Sequence, residues 1–415
     1  MPVKYTILKT LFFCGLLAKG YGQTNPVPPV LRSLNDSILS AACLPSGNGQ
    51  LISHRAMNLY LADRIGYYLS HYRDLSLYKN SVLIDGYDQS IAINHHLYTA
   101  NEKDERLRSM FTVGAKATAK HEFGFLFRHT WFGKSRVYYS GCEPGSMGNR
   151  QEMDAQRAIL LNRLASASTE EYAAFNRQLD NIQQTDVPGQ DLAAVKNKLR
   201  KEFETTLADR YREQFYELQA DTFRFKKPFR SFQFNWTDVH LYLPVVNQPF
   251  YLENPSAGTM DKKHPWLWEI AVTHNRMIES NKLGRVLLQF VGTVGQANSA
   301  RAGMIAKTGE AGNVPVYGAS GYQSFLSASL GARIVYMPPD WHFGLSGSLK
   351  QNIGNYHALD LVAGFPIVLI DKNGSPKINF EFQWKFFNVN RTNLATGTTN
   401  AVNVTAGIPF GSIVH

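Results

Sequence analysis

At 415 residues the chain is longer than one ordinary soluble domain, and beyond its N-terminus no uncharged apolar run approaches the roughly 18 to 20 residues that a membrane-crossing helix needs. A bundle of membrane-spanning helices is excluded. The formal net charge of +10 is a modest basic excess suited to anionic lipid headgroups.

Lys4 and Lys9 precede or enter an apolar run from Thr10 to Ala18, followed by Gly20, Tyr21 and Gly22 in a small-x-small pattern. Residues 1–22 therefore read as a secretory signal peptide that leaves Gln23 as the mature N-terminus. Phe12-Phe13-Cys14 lacks the small residues that precede a lipidated cysteine, so no lipid anchor is expected. Removing Lys4, Lys9 and Lys19 lowers the charge from +10 to +7, and export removes nucleic acid from the expected partners.

Residues 23–80 form an N-terminal segment. Within it Leu61, Ile65, Leu69 and Tyr72 suit an amphipathic helix over Ser53–Tyr72 that would plug a lumen or lie below it. Cys43 and Cys142 are the disulfide candidate, since the periplasm permits them to pair.

Residues 81–140 hold the first strands. Phe111, Val113, Ala115, Ala117 and Ala119 alternate with polar residues, and Phe123, Phe125 and Phe127 follow as the second arm of a hairpin. Between 141 and 221 the period lengthens to about 3.6. A helix over 151–165, a second marked by Tyr172, Phe175, Leu179 and Ile182 with Ser168 and Glu171 in capping-box spacing, and a long third one from Leu192 to Leu218 make a helical insert, broken at Asp186-Val187-Pro188-Gly189.

Residues 222–415 return to period two. Trp266, Trp268, Ile270 and Val272 face away from Glu269, and Val286, Leu288, Phe290 and Val294 form the neighbouring strand. Leu326 to Tyr336 turn through Met337-Pro338-Pro339-Asp340 into Phe343, Leu345 and Leu349. Leu359 to Ile367, where Pro366 argues for a bulge, turn through Asp371–Pro376 into Ile378, Phe380, Phe382, Trp384 and Phe386, whose opposite face is Asn379, Glu381, Gln383 and Lys385. Val402 to Phe410 close the chain in the same way.

Aromatic residues on one face and charged ones on the other suit lipid outside and water inside. Spanning strands must then close, because an open edge in hydrocarbon leaves backbone groups unpaired at several kcal/mol each. The predicted fold is an all-β transmembrane antiparallel barrel of about 12 strands (12–14) with a large α-helical insertion. Both termini and the compact turns at 337–340 and 371–376 fall on the periplasmic side, with the 297–320 connection outside. The apolar parity of Phe232–Leu241 switches between Trp236 and Val239. Read as a turn at Thr237-Asp238, this gives twelve strands from about Ile84 and puts the insert outside the cell. Read as a bulge, it puts the insert in the periplasm and requires a further strand within 55–80. The turn is the preferred reading.

The inward faces supply lumen-lining candidates: Lys116, Glu269, Arg333, Lys350, Asp360, Glu381 and Lys385. At about twelve strands such side chains nearly fill the bore, so a wide porin is not expected. No catalytic residue and no cofactor is assigned. His95, His96, His240, His274, His342 and His357 come with no recognisable nucleophile and orienting acid, His121-Glu122 lacks the second histidine of a zinc helix, and Gly47-Asn48-Gly49 lacks the context of a dinucleotide site.

The signal peptide, the alternating aromatic strands and the near-terminal apolar strand resemble outer-membrane β-barrels of Gram-negative bacteria, over roughly residues 80–136 and 222–412. The resemblance implies residence in the cell outer membrane, contact with outer-membrane lipid, and insertion by the barrel-assembly machinery. Two functions follow equally from it: a narrow transporter or channel, and a structural or interaction barrel whose helical insert docks a protein partner. A barrel-embedded hydrolase and a soluble secreted β-sandwich binding protein are the alternatives.

Overall fold

The structure, a computed structural model, describes residues 54–413 apart from 101–106, 120–121, 140–147, 187–188, 190, 228, 255, 257, 313, 356, 373 and 392–398. The signal peptide, Cys43 and Cys142 lie outside the described residues. Among those described, no helix is long and apolar enough to cross a membrane.

Two units make up the chain. The larger is a sheet built from β1 (Tyr78–Asp85), β2 (Ser90–Ala100), β3 (Leu107–Thr118), β4 (Phe123–Phe132), β5 (Arg136–Tyr139), β6 (Phe229–Val246), β9 (Glu269–Ser280), β10 (Gly284–Asn298), β13 (Ser324–Met337), β14 (Leu345–Ile353), β15 (Leu359–Ile370), β16 (Pro376–Phe387) and β17 (Thr399–Ile413). Neighbours in the sheet pair antiparallel, β1 pairs with β17, and β4 pairs with β6, so the sheet closes on itself. Because β4 and β5 lie end to end along β6, twelve strands circle the barrel.

Parity sets what each side chain meets. Phe382 and Trp384 are 49% and 55% exposed on the outer face, while their neighbour Glu381 is 1% exposed inside. Leu330, Ile334, Phe290, Val402 and Val404 likewise face out, and Asn275, Thr273, Asn403 and Thr405 are buried. A soluble sandwich would bury the apolar face, so this inverted distribution, on a sheet with no free edge, is that of a barrel that crosses a membrane.

Two sequence expectations are corrected here. Thr237 and Asp238 are neither a turn nor a bulge, since β6 runs unbroken from Phe229 to Val246 and pairs in continuous register with β9 from Ser231↔Ser280 to Tyr242↔Glu269. Its parity is constant, with Phe232, Phe234, Trp236, Asp238 and His240 all buried on the inner face. What changes along β6 is the filling of the lumen, apolar at the end near Phe232 and polar beyond Trp236. With the turn gone, the chain leaves β5 for the helices at the rim where β17 ends, together with the short turns at 281–283, 338–344 and 371–375. That is the rim of the short turns, which the barrel convention puts on the periplasmic side. Nor does Pro366 make a bulge, because it pairs in register with Glu381. On its other side Gly344 N–H donates to the Pro366 carbonyl at 3.0 Å, and the missing proline N–H interrupts the ladder just where β14 begins.

At the opposite rim a second, four-stranded sheet joins two loops. β7 (Phe250–Asn254) and β8 (Thr259–Lys263) come from the β6–β9 connection, and β11 (Lys307–Ala311) and β12 (Val314–Gly318) from the β10–β13 connection. β12 pairs parallel with β7, over a small core of Phe250, Leu252 and Ala300 with Ile305, Tyr317 and Tyr322.

The other unit is the helical insert from Gln151 to Leu218, while the residues from Gln219 onward belong to the barrel unit. The first two predicted helices are one, α2 (Gly148–Asn181), so Glu171 is not a capping residue. It pairs with Arg210 at 2.8 Å and accepts from Tyr211 O–H at 2.9 Å. A 3-10 turn (Gln184–Asp186) leads to α3 (Leu192–Lys226). Phe175 stacks on Phe203 with centroids 3.8 Å apart, and Leu179, Leu207 and Tyr211 are buried.

Candidate functional site: a plugged lumen

Helix α1 (His54–Gly66) precedes β1, and its apolar residues trace no stripe. A helix needs none when it is enclosed on every side. Nearly all of its residues are buried, and partners reach it from around the barrel wall. Tyr60 O–H donates to Glu279 of β9 at 2.6 Å and packs edge-on against Phe223 and Phe232, with centroids at 4.9 and 5.6 Å. Arg64 lies 3.2 Å from Glu279, Asp63 pairs with Arg224, and Asn379 of β16 donates to the Gly66 carbonyl. Burial pushes the Asp63 carboxyl above its ordinary range, and the Arg224 guanidinium pulls it the other way. The helix ends at Gly66, so Leu69 and Tyr72, expected on it, belong to the non-helical segment that follows.

That segment, residues 67–77, stays inside. Ser70 and His71 N–H donate to Asp74 at 2.8 and 2.7 Å, which folds the chain into a tight turn at mid-lumen. Arg333 of β13 then bridges Asp74, at 3.2 Å, and Glu381 of β16, at 3.0 Å, while also donating to Ser70 Oγ at 2.6 Å. From the facing wall Arg128 donates to the Asp74 carbonyl at 2.8 Å. Tyr72 donates to Glu269 at 3.1 Å, and Arg73 pairs with the same carboxylate. A void of about 10 Å³, room for one water at most, lies between Tyr72, Arg128, His240 and Glu269. The segment is a plug.

Above the plug, toward the rim with the four-stranded sheet, space opens. One cavity of about 430 Å³ is lined by Tyr72, Lys116, Glu269, Lys350, Arg301 and Asn352 among others. A second of about 580 Å³, lined by Lys116, Glu122, Arg301, Phe250 and Tyr317, lies under the loops. They share Lys116, Glu122 and Arg301, and so form one vestibule with a polar floor.

The structure therefore divides the seven lumen candidates. Lys116 sits 4.6 Å above the Tyr72 ring and 4.0 Å from Asp88, and it shares the vestibule with Glu269 and Lys350. Arg333 and Glu381 belong to the lock on the plug. Asp360 is opposite Lys350 in the β14–β15 register and accepts from Asn388 N–H at 3.0 Å, while Lys385 lies 3.8 Å from Asp85. The residues that sequence reasoning missed are those of the plug and its sockets: Arg64, Arg73, Asp74, Arg128 and Glu279. A signal existed for two of them, since Arg128 and Glu279 stand at inward parity in their strands.

Histidines do not gather. His96 contacts Ser81 at 3.3 Å and Thr112 at 2.9 Å, with Arg128 rather than a carboxylate beside its Nδ1, and Ser81 is fully buried. His274 faces outward, and among the described residues no His, Cys, Asp and Glu group is placed to hold a metal ion.

No protein-family model matches the sequence, and no curated protein matches it. Among solved structures, the β domain of the Bordetella autotransporter Brka is similar at 8% identity and a TM-score of 0.26, over 80% of this chain and 96% of that one. The transport unit of the autotransporter AIDA-I from Escherichia coli is similar at 9% identity and a TM-score of 0.26, over 87% and 100%. What assigns the class is the molecule's own construction: with twelve strands closed on themselves, polar groups within and an apolar belt without, the chain is an outer-membrane β-barrel.

Proposed function

We propose that the protein is a gated, solute-specific barrel: its vestibule receives a small polar solute from outside, and the plug must shift before anything passes. The observation that carries this reading is the void of about 10 Å³ at mid-lumen beneath cavities of about 430 and 580 Å³. An open channel would not be packed at its centre, and a purely structural barrel has no need of a charged vestibule. Lys116, Lys350 and Arg301 beside Glu122, Glu269 and Asp88 suit a solute that carries both charge signs or many hydroxyls. The plug is held by ion pairs and hydrogen bonds beside one small apolar cluster, in which its Leu69 meets Leu83, Ala92 and Leu126 of the wall, and a bound solute would compete for the polar contacts.

Single-channel recording in planar bilayers tests the proposal. The wild type should be closed for most of the record, and Asp74→Asn, which weakens the Arg333 lock, should raise open probability with discrete steps. Steady porin-like conductance from the wild type would sink it. The interaction-barrel reading gains if neither protein ever conducts.

A further inference from the structure

The outer face is not uniform. On β10, β13, β15, β16 and β17 the outward positions are apolar along Val286–Val294, Leu326–Tyr336, Leu361–Leu369, Ile378–Phe386 and Val402–Phe410. At an axial rise of about 2.6 Å per residue for strands tilted by about 40°, such spans match a hydrocarbon band of about 25 Å. On β6 the apolar outward run is only Val239 to Val245, and toward the periplasmic rim it gives way to Thr237, Asn235 and Gln233. Beside it β9 passes from Ile270 and Val272 to His274 and Arg276 before Ile278, and β4 carries His129 between Phe127 and an outward Trp131 that lies 4.4 Å from the His129 ring, centroid to centroid.

These polar groups form one patch. Thr237 Oγ1 and His274 Nδ1 are 3.0 Å apart, and Arg276 donates to Gln233 Oε1 at 2.9 Å. Arg136 of β5 is in register with Gln233 on its other side, and both arginines are exposed. Among the described outward residues of β4, β5, β6 and β9 there is no Asp or Glu. The acids of this wall, Asp238 and Glu279, are buried on the inner face. A guanidinium on a lipid-facing wall is unfavourable unless an anion or water meets it, and the cost falls from the midplane toward the headgroups.

We propose that this wall is a binding site for an anionic phospholipid of the periplasmic leaflet. Arg136 and Arg276 bracket the phosphate, Asn235 and Thr237 meet the rest of the headgroup, and the acyl chains run along Val239, Leu241, Val272 and Phe290. Guanidinium forks suit phosphate oxygens, and the short apolar run lets the headgroup sit deeper here than elsewhere around the barrel. The inference depends on the barrel's orientation and not on the solute reading.

The test is native mass spectrometry of delipidated protein titrated with phosphatidylglycerol or phosphatidylcholine of matched chains. The wild type should retain phosphatidylglycerol about tenfold better, as one charge-assisted contact provides. Arg136→Gln with Arg276→Gln should abolish the preference, and Lys262→Gln with Lys263→Gln on the distant β8, an equal change in charge, should keep it. If the double variant loses the heat-modifiable mobility of a folded barrel, Arg136→Gln alone, in the short β5, must still lower the preference. Equal retention of the two lipids by the wild type, or an unchanged preference in the patch variant, overturns the proposal. So does a photo-crosslinker at Asn235 that yields a protein adduct and no lipid adduct in intact membranes.

Discussion

Arg333 stands where two carboxylates of the lumen meet, and its guanidinium pairs with both. Removing one member of a buried ion pair costs about 3 to 5 kcal/mol, because the other charge stays desolvated without a partner. Arg333→Met should therefore lower the thermal unfolding midpoint of the barrel in detergent, and adding Asp74→Asn and Glu381→Gln should restore most of it. A single variant as stable as the wild type would show that water already reaches this lock. Outside, Phe382→Arg should cost about 2 to 4 kcal/mol if the residue lies near the membrane midplane. Unchanged assembly and unfolding of that variant would contradict the assigned face. Alternation in the sequence is enough to put Glu381 inward and Phe382 outward. It could not separate Glu381, locked to the plug, from Lys350, which faces the vestibule, because an inward polar side chain reads the same whether it meets water or protein.

At the scale of elements, β6 and α1 are where sequence reasoning fell short, for one common reason. Both take their apolar pattern from the object inside the barrel rather than from the membrane. Phe232, Phe234 and Trp236 are inward because Tyr60 and Phe223 fill that end of the lumen, so the change in pattern at Val239 mimics a change of direction that the backbone never makes. For α1, enclosure erases the stripe by which an amphipathic helix is recognised. Strands such as β13 and β16, whose outer faces are apolar without a break, are legible almost residue by residue, although their inner faces hold the plug. The fit between plug and wall can be tested at Gly407 of β17, where an added Cβ would run into the Leu69 carbonyl. Gly407→Val should displace the plug while the outer face is untouched, and should appear as frequent channel openings from a protein that still shows a folded barrel's gel mobility. A variant closed like the wild type would mean that the segment yields at Leu69 without leaving the lumen.

For the whole molecule, the direction of β6 decides where the helices emerge. A cysteine placed at Gly189, between α2 and α3, should react with a membrane-impermeant maleimide only after the outer membrane is permeabilised. Labelling on intact cells would reverse the assignment of the rims. The pairing of β1 with β17 has a further consequence, for the order in which the molecule can be made. The ring is sealed by the strand that is synthesised last, and that strand carries Gly407, which leaves no room between itself and Leu69. A finished ring would have to admit the plug through a bore already lined by its own side chains, whereas an unfinished one can be drawn around a plug laid down first. Assembly should then be a wrapping process with the final strand as its latch. A chain ending before Thr399 would present two open sheet edges and an uncovered plug, which makes it a substrate for periplasmic proteases instead of a smaller barrel.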